Sequence, residues 1–184
     1  MTRTIRSFSF IGLSVLLIGL FQGRSTRAAA GLVIRISNLT DLYMAVNDPA
    51  NAGARLELQP EGSPYYLDIS QPNGGRLELQ PDMELAGTPG DAGAVVIDGS
   101  VLTSDSTGAI RIGRGNNVIE WLTVQNSTRT NAGINTDLAP TTGVNAVRIA
   151  HAILKGNVRG IDFRVSGTPA NGHVLEGTFE ENLF

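Results

Sequence analysis

Apolar and polar residues alternate strictly in Arg55-Leu-Glu-Leu-Gln-Pro60, and the same string returns as Arg76-Leu-Glu-Leu-Gln-Pro81. Alternation at period two predicts strands with one buried face and one wet face. Gly31 to Ile36 reads as a first strand. Asn38 to Asn47 reads as the one helix: Leu39, Leu42, Ala45 and Val46 share a face, Thr40 or Asn38 can cap its start, and Pro49 and Gly53 close it. Further short strands are predicted at 83–85, 95–98, 109–112, 118–124, 146–149, 160–163 and 174–179. They are separated by turn signals such as Asn73-Gly-Gly75, Asp98-Gly99, Gly115-Asn116-Asn117 and Ala132-Gly133.

Near-identical segments at short spacing mark a repeat architecture, in which a unit too small to bury its own apolar face stacks on its neighbours. Stacking the two copies in register puts Leu56 on Leu77 and Leu58 on Leu79 inside. Outside, it puts Arg55 on Arg76 and Glu57 on Glu78. A second match aligns Val118–Asn126 with Ile149–Asn157 and Val174–Asn182, each block ending on asparagine. Asparagines in one column can form a ladder along a solenoid axis. The turn-rich pattern alone also permits an antiparallel sandwich; the near-duplicates favour the solenoid, with the 38–47 helix as the lid that a first coil needs.

The first thirty residues read as a secretory leader: Arg3 and Arg6, an apolar run from Phe8 to Phe21, and small residues Ala28–Ala30 for cleavage. The alternative is an uncleaved anchor, but the run is shorter than the ~20 residues of a spanning helix. The chain has 14 basic and 17 acidic residues; the leader holds Arg3, Arg6, Arg24 and Arg27 and no acid, leaving 10 against 17, a net charge near −7. That argues against a nucleic-acid partner, which needs a basic face, and suits an extracellular protein. There is no cysteine, so no disulfide framework supports residues 31–184, which read as one domain.

The helix at 38–47 followed by Ala54-Arg-Leu-Glu-Leu-Gln-Pro-Glu-Gly62, with Val96-Ile-Asp-Gly-Ser100, Asn117–Asn126 and Gly172-His-Val-Leu-Glu-Gly177, resembles the right-handed parallel β-helix (pectin-lyase-like) family. The resemblance implies an all-β solenoid with a short N-terminal capping helix. It says little about function, since one scaffold hosts lyases, hydrolases, adhesins and spikes. Glu180-Glu-Asn-Leu-Phe184 stops in mid-pattern on two apolar residues, so the expectation is a chain lacking its C-terminal coils, or an open edge that pairs with another chain.

The resemblance also suggests chemistry to look for. Asn135-Thr-Asp137 is similar to the first polygalacturonase motif, with Asp162 and His173 as further members, but the paired aspartates, the second glycine of Gly-His-Gly and an Arg-x-Lys are missing from this chain. In the pectate-lyase pattern, Asp98, Asp105 and Asp137 would hold Ca²⁺ and Arg111, Arg148 or Arg159 would abstract a proton. The plainer reading makes Asp137 and Asp98 turn residues, His151 a residue on a coil face, and Trp121 a packing residue beside Leu122 rather than a sugar platform. Asn38 and Asn126 begin glycosylation sequons. The sequence therefore assigns no catalytic, cofactor or metal residue. It points to a secreted module of unassigned activity that shows a sheet face to a polysaccharide or protein, with a polysaccharide lyase or hydrolase as the alternative.

Overall fold

The computed structural model describes residues 31–103, 108–129, 132–138, 144–164 and 174–184. Strands fall into three parallel sheets, here faces A, B and C, and the chain visits them in turn. Face A stacks β1 (Val33–Ile36), β2 (Arg55–Leu58), β5 (Glu84–Ala86), β8 (Val118–Glu120), β11 (Val144–Ala150) and β14 (Val174–Glu180). Face B stacks β3 (Tyr65–Tyr66), β6 (Val96–Asp98), β9 (Thr123–Gln125) and β12 (Ile153–Lys155). Face C stacks β4 (Leu77–Glu78), β7 (Ile110–Arg111), β10 (Ile134–Asn135) and β13 (Ile161–Asp162). The chain is a parallel β-solenoid, and every sheet is built from strands one coil apart.

Each face sends one column of apolar side chains inward. On face A the column is Ile34, Leu56, Leu85, Ile119, Ile149 and Phe179. On face B it is Tyr65, Ile97, Val124 and Leu154, and on face C Leu77, Ile110, Ile134 and Ile161. Most of these side chains are fully buried in one continuous core. Burying one such side chain contributes about 1.5–3 kcal/mol, so the fold needs no disulfide to close it.

Helix α1 (Leu39–Asn47) lies over the β1 end and packs on β1 and β4. Asn38 caps it, its Oδ1 accepting from Asp41 N at 2.9 Å. Leu42, Tyr43, Ala45 and Val46 are buried beneath it. Tyr43 ties the lid to the coil below, its hydroxyl donating to Gly75 O at 2.6 Å and accepting from Asp68 N at 2.9 Å. Burial pushes the Tyr43 hydroxyl up to about 12.

Stacking differs in register from the sequence reading. Leu56 sits on Leu85, whereas Leu77 sits on Ile110. The two near-identical segments are therefore two sides of one coil, face A and face C. A coil takes about 30 residues, from Arg55 to Glu84 and from Val118 to Arg148; the two copies lie closer together than that, with a turn at Pro60–Gly62, β3 and a turn at Pro72–Gly75 between them. Both leucines remain fully buried, so the shared interior stands while the expected arginine-on-arginine stacking does not occur.

The asparagine blocks also shift. Val118 pairs with Arg148, one residue before the aligned Ile149, and Gln125 pairs with Lys155, so Asn126 lies level with Gly156 rather than with Asn157. Asn182 stands at a different corner, accepting from Ala152 N at 2.9 Å and donating to Ile149 O at 2.8 Å. Each asparagine bridges adjacent coils, but the three do not form one column. The expected 118–124 strand breaks at Trp121, whose φ of 58° turns the chain out of face A. The sequence reading missed β3, β10 and β12, which are too short for periodicity to register.

Candidate functional site

The corner where face A turns into face B carries the most unusual side-chain arrangement. Trp121, His151 and Glu181 occupy it on successive coils, each with a left-handed backbone (φ 58°, 52° and 50°). Non-glycine residues there cost about 1–3 kcal/mol each and persist only where surrounding contacts fix them. Here the ladders on either side do so: Trp121 N donates to Ala150 O and His151 N to Glu180 O. The corner throws the side chains outward, one above another. The indole and imidazole stack with centroids 3.9 Å apart at 11°, and His151 Nδ1 lies 3.0 Å from Glu181 Oε2. Trp121 thus packs on His151, outside the buried cluster that holds its neighbour Leu122.

On the other side of Trp121 the column position is Gly87. A Cβ at this glycine would press directly against the Trp121 carbonyl oxygen and come within 3.1 Å of Leu122, so the corner holds no side chain at that level. Gly87, Thr88 and Pro89 then form one wall of a groove of about 310 Å³, which Arg35, Arg55, Glu57, Gln59 and Pro60 help to line. That volume lies at the lower end of the ~300–1,000 Å³ range of ligand pockets.

The groove abuts the outer surface of face A, where an ion-pair lattice runs across the coils. One outward row reads Glu57, Ala86, Glu120, Ala150, Glu180. Alanine between successive glutamates keeps like charges two coils apart and leaves room for guanidinium groups to lie across. Arg55 reaches Glu84 at 2.7 Å, Glu120 at 2.9 Å and Glu57 at 3.4 Å, and Arg148 reaches Glu120 at 3.0 Å and Glu180 at 3.1 Å. Partial burial works against the Arg55 charge, but the hydrogen bonds it donates to Glu84 and Glu120 outweigh it and raise its pKa above the usual arginine value. Burial likewise opposes the Glu120 charge, and Arg55 and Arg148 more than compensate, holding its carboxyl below the usual glutamate range. Arg35 is the outlier: its side chain is 78% exposed and its Nε stands 3.6 Å from Glu57.

The residues singled out for hydrolase chemistry lie on face C. Asp137 accepts from Arg111 Nε at 2.9 Å, and Arg111 also pairs with Glu78. Asp162 is paired with Arg164 and accepts from Asn135 Nδ2 at 3.2 Å. Asn135 Oδ1 in turn accepts from Asp137 N at 2.6 Å. The fold therefore brings Asp137 and Asp162 to the same asparagine, each with an arginine attached. Both carboxylates are thus already engaged by a guanidinium within the fold. His173 and Asp105 lie outside the described residues, as does the leader at 1–30.

Asp98, offered as a calcium ligand, is 3% exposed and already saturated. It accepts from Ser100 N at 2.9 Å and from Gln125 Nε2 and Asn126 Nδ2 at 2.7 Å each. Burial opposes its charge, but these donors win and lower its pKa. Among the described residues no group of three His, Asp or Glu side chains is placed to hold a metal. Asn126 donates its sequon nitrogen to Asp98, and Asn38 donates its own to Asp41 at 2.7 Å.

No family model matches this chain, and neither a curated protein nor a solved structure does.

Proposed function

We propose that this chain is a secreted, non-catalytic β-solenoid module that binds a neutral polysaccharide along the edge between faces A and B. The observation that carries this reading is the outward Trp121–His151 stack, next to a corner position that Gly87 leaves without a side chain. The apolar C–H face of a pyranose packs on an indole. Its hydroxyls find donors and acceptors in the adjoining groove at Gln59, Thr88 and Arg35. A rigid aromatic with a few convergent polar groups is the usual make-up of such sites. A net charge near −7 for residues 31–184 disfavours a polyanionic partner.

A lyase or hydrolase is the second reading, favoured by the convergence of Asp137 and Asp162 on Asn135. One experiment separates the two. The exported protein is titrated with a panel of neutral and acidic polysaccharides, with fluorescence of the single tryptophan as the binding signal. Viscosity and unsaturated product are followed in the same samples, with and without Ca²⁺. The module reading expects saturable binding of a neutral polymer without product, weakened at least tenfold in Trp121→Ala and unchanged in Asp137→Ala. Product formation abolished by Asp137→Ala would replace it with the enzyme. N-terminal sequencing of the exported protein is expected to begin close to Gly31.

A further inference from the structure

Arg35 and Glu57 are register partners on β1 and β2, and both line the groove, yet their charges do not meet. Arg35 Nε stands 3.6 Å from Glu57 Oε2, beyond the roughly 2.7–3.2 Å of an N–H···O hydrogen bond. Arg55 and Arg148, by contrast, bond directly into the lattice at 2.7 Å to Glu84 and 3.0 Å to Glu120. The Arg35 side chain makes no hydrogen bond among the described residues. Glu57 splits its oxygens: Oε1 accepts from Arg55 Nε at 3.4 Å, and Oε2 is left towards Arg35. Gln59 beside them gives its Nε2 to Glu57 O at 3.0 Å and keeps Oε1 as an acceptor.

A group that fits between an open guanidinium and an open carboxylate must accept from one and donate to the other. An anion would meet Glu57, and a cation would meet Arg35, so each is opposed by one member of the pair. A neutral hydroxyl satisfies both, since it carries a donor and two acceptor lone pairs. Arginine adds a further condition. Its N–H groups form a rigid fork, which engages two oxygens at once only when those oxygens lie close together. Hydroxyls on adjacent ring carbons meet that condition. Equatorial hydroxyls on alternate ring carbons spread too wide for one fork.

We propose that Arg35 and Glu57 read an adjacent pair of hydroxyls on the bound sugar. The Arg35 fork donates to both oxygens, and one of the two hydroxyls donates to Glu57 Oε2. This rests on the neutral-polysaccharide reading above and narrows it to a linkage class. The polymer is one whose internal residues keep adjacent hydroxyls, as pyranose chains linked through O4 do at C2 and C3. Pyranose chains linked through O3 do not qualify, because the linkage consumes the middle oxygen and leaves O2 and O4 apart. Pro60 and Pro89, which line the same groove, offer apolar surface to the C–H groups of that ring.

The test is a calorimetric titration of the exported protein. The ligands are soluble neutral oligosaccharides linked through O4, of glucose, mannose, xylose and galactose in turn, and a long β-glucan linked through O3, which has the hydroxyl pair only at a chain end. At least one O4-linked chain is expected to bind saturably, and the O3-linked glucan about tenfold or more weakly, the loss expected when charged hydrogen-bonding groups go unmatched. Arg35→Lys keeps the charge and loses the fork; Glu57→Gln keeps the shape and loses the charged acceptor. Each should weaken the O4-linked chain about tenfold and leave the O3-linked glucan unchanged. Circular dichroism checks that the coil is retained, and Arg35, 78% exposed, is the position least able to disturb it. Equal affinity for the two linkages, full affinity in Arg35→Lys, or an equal loss for both linkages overturns this inference and leaves the binding module standing. Binding of no neutral glycan removes the module reading, and this inference with it.

Discussion

Gly87 and Trp121 show how one missing side chain shapes a surface. The glycine is not needed for a left-handed backbone, since its φ is not among the positive ones; it is needed because the next coil's carbonyl lies where a Cβ would go. Gly87→Ala must push the two coils apart at the corner. Overpacking of this kind costs about 1–3 kcal/mol, and the upper half of that range is expected because the obstacle is backbone. Urea unfolding should show the loss, and Trp121 emission should shift in the folded variant. A Gly87→Ala chain as stable as its parent would mean that the corner is looser than described. Little of this was legible in the sequence. Trp121 and His151 are far apart in the chain, and only a knowledge of the coil length brings them face to face. Asp98 reads correctly as a turn residue, because an aspartate ahead of a turn accepts from the backbone N–H two residues on; near Asp137 it is Asn135 whose side chain accepts in this way, from Asp137 N, while the Asp137 carboxylate is bonded by Arg111.

At the scale of elements, the face A strands are tied by an outer row of ion pairs as well as by their inner apolar column. Glu120 links Arg55 on one side to Arg148 on the other, with its side chain only 15% exposed. Its folded-state pKa is lowered, so its stabilising effect is complete above the ordinary glutamate value near 4.5 and fades as pH falls through the lower folded value. Asp98 acts in the same direction from its ordinary value of 3.8. Thermal melting should therefore be flat from neutral pH to about 5 and then fall steeply on acidification. Glu120→Gln should lose about 1–3 kcal/mol at pH 7, because two guanidinium groups lose a charged partner, and should show a shallower acid limb. A variant whose acid limb matches the parent's would remove Glu120 from this role. The sequence displayed the alternating Arg and Glu but gave the wrong neighbours. A 55–60 segment and its near copy at 76–81 look like consecutive layers, whereas the turn at Pro72–Gly75 has already carried the chain to another face. Strands of two residues such as β3 and β10 have no periodicity to read; only the column above and below defines them.

The whole molecule behaves as a stack of similar layers, each in contact with the next. In such arrays stability is a sum of layer and interface terms, and opening starts where a layer has one neighbour. The β1 end is fastened by α1 through Tyr43 and through Gln80, whose Nε2 donates to Val46 O at 2.9 Å. Amide exchange should therefore be graded, slowest in β2, β5 and β8, which have a coil on either side and lie nearest the α1 lid. Uniform protection from β2 to β14 would contradict this. The solenoid class itself could be read from sequence, because the near-duplicate segments favour stacked coils over the sandwich that the turn-rich pattern also permits. Its register could not, since a shift of one residue, as between Val118 and Ile149, is invisible to composition and yet exchanges inside for outside.

The lid at one end also sets how the chain should answer to tension. A pull on Glu180 meets coils that can peel away in order, each freeing roughly 100 Å of extended polypeptide at ~3.3–3.6 Å per residue. A pull on Val33 must strip β1 from β2 and then tear α1 from Gly75 and Gln80. Held between two anchors, the same molecule is a stepwise spring from one side and a latch from the other.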